Sequence, residues 1–453
     1  MGRFITITVI FKGNIVGSMI TRRLADFVSS LSYSDIPGDA IEMARMCLLD
    51  FIGVALRGSS EMSGLMALGA MGKGSGEATI IGHGRGDAER AALLNGIFAH
   101  NLDLDDGHRG AQMHPGSCVI PAALAAAEAT GATFSDFITA MVAGYEVAIF
   151  MGLISNPGHR ELGFHTTGTC GTFGAAAASS RIICPDVDAV VNSLGIAGTQ
   201  AAGLLESDHA GTMSKHLHAG RAAQSGLISA RLASQGFTGA ESVIDGDEGF
   251  LRAMCRLDDS NMNETPEIGA FHIRDVYLKR YPVCRHLHST LDAAAEIIRE
   301  NNFRASEIEE VIVSTYRIAA EHDSYSPATV EAVRQSLPAS LAMLLEGGEL
   351  RVEDLEGGFS QEIASRIRIE VDPALDELRN MRPSRVKVRL RNGDVLKAYR
   401  ELPRGEPEEP YTWDDIVEKF RELNPGYETE RLDVIGEADQ EPVSDVMLEL
   451  FGR

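Results

Sequence analysis

A chain of 453 residues exceeds the size at which a single hydrophobic core keeps growing, so two domains are the natural expectation. Its 44% hydrophobic and 23% charged content describes a globular protein rather than a disordered or fibrous one. A formal charge of −24 argues against a nucleic-acid partner, which needs a clustered positive surface, but leaves room for a small anionic substrate held by a local island of cations.

The opening MGRFITITVIFKGNIVGS has an apolar run too short to span a bilayer and no ordinary signal-peptide layout, so residues 1–18 are expected to be an extension outside the main fold. MITRRLADFVSSL, from Met19, reads as the first amphipathic helix. From there to about Asn261 apolar residues recur at three and four, and Ala and Leu dominate. AIEMARMCLLDFIGVAL, VIPAALAAAEA and FSDFITAMVAGYEVAIFMGL are apolar on nearly all sides, which places them inside a large bundle. No window offers about twenty uninterrupted apolar residues, so no membrane span is expected. After about Glu264 the texture changes. EEVIVSTY and IRIEVDP have strand composition, and RVKVRLRNGDVLKAYR alternates around Asn392-Gly393, the signal of a hairpin with a type I′ turn. The helical stretches HSTLDAAAEIIREN and VRQSLPASLAMLLEGG lie between them. EPYTWDDIVEKFREL then returns to helix, with Thr412 as cap and Asp415 three residues on. The expected fold class is mainly α: a large all-helical domain, 19–263 and 403–453, with an inserted smaller α+β domain at 264–402.

Three segments concentrate ionisable residues. AHNLDLDDGHRGAQMHPGS sets His100, Asp103, Asp105, Asp106, His108 and His114 between two buried-helix patterns. SDHAGTMSKHLHAGRAAQSG carries His209, Lys215, His216, His218 and Arg221. IRDVYLKRYPVCRHLHST sets Arg274, Lys279, Arg280, Arg285, His286 and His288 against a single acid, Asp275. In so acidic a chain the last two are the clear basic islands, suited to a substrate with several carboxylates. A single acid or histidine at a helix end is most often a cap or a satisfied hydrogen-bonding group. HLH occurs twice, yet neither pair has a third ligand at a zinc spacing, so no metal is expected. GHGRGDAE lacks the G-K-[ST] ending of a phosphate loop and reads as a turn. Cys47, Cys118, Cys170, Cys184, Cys255 and Cys284 follow no C-x-x-C spacing; they suit a reducing, cytoplasmic setting.

AHNLDLDDGHRGAQMHPGS, GFHTTGTCGTFGAAAA, MSKHLHAGRAAQSG and KRYPVCRHLHSTLDAA resemble successive signature blocks of the MmgE/PrpD family, which includes 2-methylcitrate dehydratase, cis-aconitate decarboxylase and iminodisuccinate epimerase. The likeness runs in order from about Met19 to Leu423. It implies an all-helical domain plus an α+β lid, a homodimer, and a site between the domains that uses no metal or other cofactor. It also implies that the family's catalytic acid falls on Asp103, the histidine of its H-P-G element on His114, and the lysine of its M-x-K element on Lys215. The histidine nine positions after the K-x-[YF]-P lysine falls on His288. His165, in the second block, is expected to bind substrate. Arg280 and Arg285 are expected to do the same on composition and position alone. Two positions depart from the family pattern. Thr commonly follows the Asp pair where this chain has Gly107, with one extra residue before His114, and a Tyr of the S-x-x-Y element is replaced by Ala339. Both changes remove a hydroxyl available to a substrate.

The residue types suit such chemistry. Removing a proton beside a carboxylate builds negative charge next to negative charge, so the site must supply cations and a base tuned towards neutral pH. Lys215, Arg280 and Arg285 answer the first need; Asp103, His114 and His288 answer the second. The expected function is a cofactor-independent lyase, most simply one that dehydrates a 2-methylcitrate-like acid. Decarboxylation of cis-aconitate or epimerisation would use the same constellation with a different protonation order. A non-catalytic carboxylate-binding protein is the alternative of another class, and a metallohydrolase the outsider.

Overall fold

The computed structural model describes residues 19–255 and 265–452. The extension expected at 1–18 and the junction expected at 263–264 lie outside the described residues. The long helices Gly38–Gly58, Ala88–His100, Gly116–Thr130, Phe134–Ser155, Thr166–Ile183 and Ser214–Ser234 pack into one body. Their all-round apolar sequences are explained by burial on every side: each residue from Thr166 to Ser180 is buried. Phe134–Ser155 starts at a capping box in which the Asp136 backbone N–H donates to Thr133 Oγ1 at 3.2 Å. By length and composition this helix is apolar enough to cross a membrane, but 89% of its apolar window is buried in the body, as expected of a core helix. Small residues set the spacing near the site. A Cβ on Gly96 would lie 2.7 Å from the Gly220 Cα, so only glycine lets Ala88–His100 lie this close to Ser214–Ser234.

The mixed region contains a four-stranded sheet of β1 (Ile308–Thr315), β2 (Ile367–Val371), β3 (Ser384–Leu390) and β4 (Val395–Arg400), in spatial order β2-β1-β3-β4. β1 and β2 are parallel; β1–β3 and β3–β4 are antiparallel, with Val313 opposite Val386 and Val388 opposite Leu396. Val386, Val388 and Leu390 alternate inward. They meet Leu291, Ile297, Leu341 and Leu345 from the helices His288–Glu300 and Leu337–Gly347, forming a second apolar cluster. The hairpin between β3 and β4 is present, but its turn is not type I′. Gly393 has φ 96°, whereas Asn392 is not among the residues of positive φ. The Gly393 N–H donates to the Leu390 carbonyl, and the Leu390 N–H to the Asp394 carbonyl, both at 2.9 Å, closing a three-residue loop. The Asn392 side chain accepts from the Asp394 N–H at 3.0 Å, so its local hydrogen bonding replaces the left-handed conformation expected there.

Trp413–Leu423 begins at the Thr412–Asp415 capping box and packs on Gly38–Gly58, with Ile416 and Phe420 in the first cluster. On its buried face Lys419 pairs with Asp50 at 2.5 Å.

Candidate active site

Helix Ala88–His100 ends at Asn101, whose amide donates to the Gly58 carbonyl at 2.8 Å. The chain then turns through Asp103 at φ 52°, a left-handed conformation that Asp tolerates better than most side chains. Three successive carbonyls of this turn are each held by a cation from a distant segment. Arg334 donates to Leu102 at 2.6 Å, Lys279 to Asp103 at 2.9 Å and Lys419 to Leu104 at 3.0 Å. Further on, Gly107–His108 pairs antiparallel with Val276–Tyr277, which carries the following Lys279 over the turn. A Cβ at Gly107 would lie 2.4 Å from the Tyr277 hydroxyl. The space beside this departure from the family pattern is therefore filled by Tyr277. Ala339, the other departure, is buried in the second apolar cluster.

A narrow cleft lies beside the turn, lined by His100, Asp103, Asp208, Lys215, His216 and Arg334 among others. Asp103 is its electrostatic centre. Oδ1 accepts from Lys279 at 2.7 Å; Oδ2 accepts from Lys215 at 3.2 Å and from the Gln335 amide at 3.0 Å. Lys215 also pairs with Asp208 at 2.9 Å. Burial opposes ionisation of Asp103, but Lys215 and Lys279 outweigh it and hold the carboxyl well below the usual range. The same balance raises Lys215: burial disfavours its charge, and Asp103 and Asp208 overcome that. The cleft is narrow in this structure. Its cavity volume of about 10 Å³ is roughly the room one water needs.

A histidine cluster adjoins the ion pairs. His100 Nδ1 lies 2.7 Å from Asp105 Oδ2, while His100 Nε2 is buried without a hydrogen-bond partner. The His100 ring centre stands 5.2 Å from that of His114 and 5.8 Å from that of His165. Burial, opposed in part by Asp105, pushes the His114 imidazole down to about 4. Burial and neighbouring His100 also lower His165, whose Nδ1 lies 2.8 Å from that of His218. Asp105 stays ionised: burial raises its carboxyl, but His114 and His100 prevail. Asp106 differs from its neighbours. It accepts from Tyr145 at 2.7 Å and from the Gly116 N–H at 3.0 Å, and burial lifts it to about 7. It anchors the start of Gly116–Thr130 rather than the cleft.

Of the residues picked from sequence, the structure gathers Asp103, His114, Lys215 and His165. It does not bring Arg280, Arg285 or His288 to the cleft wall. The Arg280 guanidinium forms a two-pronged pair with Glu422 at 2.5 and 2.7 Å, in a separate cavity. Arg285 spends its donors on Glu406, the Arg404 carbonyl and His288, and stacks over Tyr277 at 4.4 Å. His288 is 1% exposed, with Nδ1 at 3.1 Å from Arg285 and Nε2 at 3.2 Å from the Val283 carbonyl. Both ring nitrogens are committed, so this histidine belongs to the packed interior around Arg285 and Tyr281. The sequence reading noted His100 and Lys279 among the ionisable residues but gave them no role, and it did not single out Asp208 or Arg334. Lys279 had a visible signal: a lysine in the apolar run VYLKRYPV must be paired if it is buried.

Asp103, Asp105 and His114 each bring a ligand atom within 4.8 Å of the others, the spacing a metal ion would use. Both oxygens of Asp103 already accept from cations or the Gln335 amide, and a divalent ion there would meet two ammonium groups. The donor set fits acid–base chemistry better than metal ligation.

Residues 22–263 match the MmgE/PrpD N-terminal domain, and residues 281–440 the MmgE/PrpD C-terminal domain. The chain is 28% identical to the cis-aconitate decarboxylase-like protein oryM of Aspergillus oryzae, over 89% of this chain and 90% of that protein. It is 27% identical to a cis-aconitate decarboxylase of Aspergillus terreus, over 90% and 89% of the two chains. With the human cis-aconitate decarboxylase it shares 25% identity, over 89% and 87%. Matched from its first long helix to its last segments by both halves of the family pattern, the chain belongs to the MmgE/PrpD family.

Proposed function

We propose that this protein is a lyase acting on a tricarboxylate, with loss of carbon dioxide from cis-aconitate as its first candidate reaction. The observation that carries the reading is the Asp103 carboxylate held between Lys215 and Lys279, in a cleft that His100 also lines, with its Nε2 uncommitted. The cis-aconitate decarboxylases among its relatives favour decarboxylation over the other reactions of the family. Lys215, Lys279 and Arg334 would neutralise substrate carboxylates. A proton delivered to one alkene carbon, with His100 Nε2 or His114 as donor, lets a C–C bond break. Its electron pair forms the shifted double bond, and carbon dioxide departs. Asp105, fixed on His100 Nδ1, steadies the tautomer that leaves Nε2 free to exchange the proton.

Dehydration of a 2-methylcitrate-like acid is the second reading. His114 and His165, lying beside the His100–Asp105 pair, favour it by offering separate groups to take the C–H proton and to protonate the departing hydroxyl. In either reading residues 264–402 act as a lid over a body made of 19–263 and 403–453. The narrowness of the cleft supports this, since a six-carbon acid needs it to widen. A homodimer belongs to the same proposal and is checked by mass in solution. Free thiols at all six cysteines support a reducing, cytoplasmic setting. An NMR time course with cis-aconitate, citrate and 2-methylcitrate offered separately tests the reading. Appearance of methylenesuccinate from cis-aconitate supports decarboxylation, and 2-methylaconitate from 2-methylcitrate supports dehydration. Binding without turnover of any of the three would replace the lyase by a carboxylate-binding protein.

A further inference from the structure

Cys284 and His322 form a pair that the reaction above does not use. Cys284 lies in the segment after Lys279, its backbone N–H donating to the Arg334 carbonyl at 2.9 Å. Its Sγ stands 3.7 Å from His322 Nε2. On the other side of that ring, His322 Nδ1 meets the Gln335 carbonyl at 3.0 Å, which fixes the tautomer and turns Nε2 towards the sulfur. Gln335 in turn donates from its side chain to Asp103, so the pair abuts the cleft wall. A thiol, a base within reach and a third group orienting the base is the arrangement of an activated nucleophile.

A second cysteine–histidine contact provides an internal control. Cys255 Sγ also lies 3.7 Å from a histidine, His159 Nδ1. There, Nδ1 is bonded to the Met254 carbonyl, Nε2 to Thr169, and the sulfur is buried. Burial pushes that thiol up to about 12, and likewise Cys170; Cys47 and Cys118 are also raised by burial. Cys284 alone has both partial exposure and an oriented base; Cys184 shares the exposure but ends a helix without a histidine contact.

We infer that Cys284 is a covalent-modification site for small anionic electrophiles, of the class of α-halo or otherwise electrophilic carboxylates, with His322 as its proton acceptor. In the reaction the thiol proton moves to His322 Nε2, sulfur attacks the electrophilic carbon, a C–S bond forms and the carbon–halogen bond breaks with release of halide. The groups acting on the thiol are His322, Asp103, Asp208, Lys215, Arg382 and Tyr316, with His286 stacked on His322 at 5.8 Å. Burial opposes the thiolate, as do Asp103 and Asp208, yet His322 brings the thiol below its ordinary value, and the thiolate lifts His322 to about 9.

The inference does not depend on the lyase reading, because alkylation is measured without turnover. The full chain is treated with iodoacetate or iodoacetamide from pH 5 to 10, and the modified cysteine is identified by peptide mass. Cys284 should react first, with a rate midpoint below the ordinary thiol value of about 8.5. At low ionic strength the anionic reagent should match or outpace the neutral one, the reverse of what a chain of net charge −24 would otherwise give. H322Q should slow labelling at pH 7 by about tenfold or more and move the midpoint up, because the base is gone. C284S should remove the fast label. Faster labelling of Cys184, or an ordinary Cys284 midpoint in the unaltered chain, would overturn the inference even if H322Q failed to fold.

Discussion

The tripeptide His-Leu-His occurs at 216–218 and again at 286–288, and the two copies do different work. In the first, on Ser214–Ser234, His216 lines the cleft beside Lys215, with an unpartnered Nδ1, and His218 reaches across to His165. In the second, His288 is locked between Arg285 and a backbone carbonyl, and His286 bonds to the Tyr316 hydroxyl at 2.5 Å. What separates them is how many ring nitrogens the surrounding fold has already committed. The second segment serves the cleft through Lys279 instead, a residue seven positions before its first histidine.

The strongest way to break this comparison is Lys279→Ala. It leaves Asp103 and a strained carbonyl without their closest cation, and removing one partner of a buried pair costs on the order of 3–5 kcal/mol. Chemical denaturation should show that loss, and tricarboxylate turnover should disappear; a stable, active variant would return the role to His288. Next, His100→Gln should keep the fold and reduce turnover by about a hundredfold or more, the scale of a lost acid–base group, with the pH–rate profile altered. Activity near that of the unaltered chain would exclude the His100–Asp105 pair from proton transfer. His288→Gln should act on stability, by about 1–3 kcal/mol for the buried bonds it disturbs, with kcat/KM changed less than in His100→Gln.

Asp106 offers a pH test of the wall. With a folded-state value of about 7 and an unfolded one near 3.8, the native chain holds a proton there that the unfolded chain has lost. Its contribution to stability is therefore fully present below about 4, falls as pH rises to about 7, and is flat above that. Asp106→Asn should remove this component from the pH dependence of thermal unfolding; an unchanged difference between pH 4.5 and 7.5 would contradict it. The smallest effect belongs to Arg280→Ala. Its pair with Glu422 is a third exposed, so about 0–1 kcal/mol is expected and turnover should be unchanged.

The comparison also explains what the sequence made legible. The helices were plain, because Phe134–Ser155 and Thr166–Ile183 are apolar all round and buried all round. The hairpin at Asn392-Gly393 was plain too, but its turn type was not, since one side-chain hydrogen bond decides between three-residue and two-residue loops. Of the residues the resemblance pointed to, Asp103, His114 and Lys215 lie close together in the structure. Composition misplaced Arg280 and Arg285, because a run of basic residues does not reveal that Glu422 and Glu406 lie opposite them in space. His100 was named among the ionisable residues but given no role; nothing local announces that Asp105 will hold one nitrogen and leave the other free.

The three carbonyls of residues 102–104 have a consequence for how the protein is assembled and inspected. Each is fastened by one cation, and the cations belong to segments near 279, 334 and 419. The turn that carries Asp103 can thus reach its final shape only after chain regions more than 170 residues downstream have docked. Fragments ending before those regions would form helices without forming the site. In the intact protein, amide exchange around Asp103 should report on the docking of all three segments at once, making this turn a single sensor of whether the whole chain is in place.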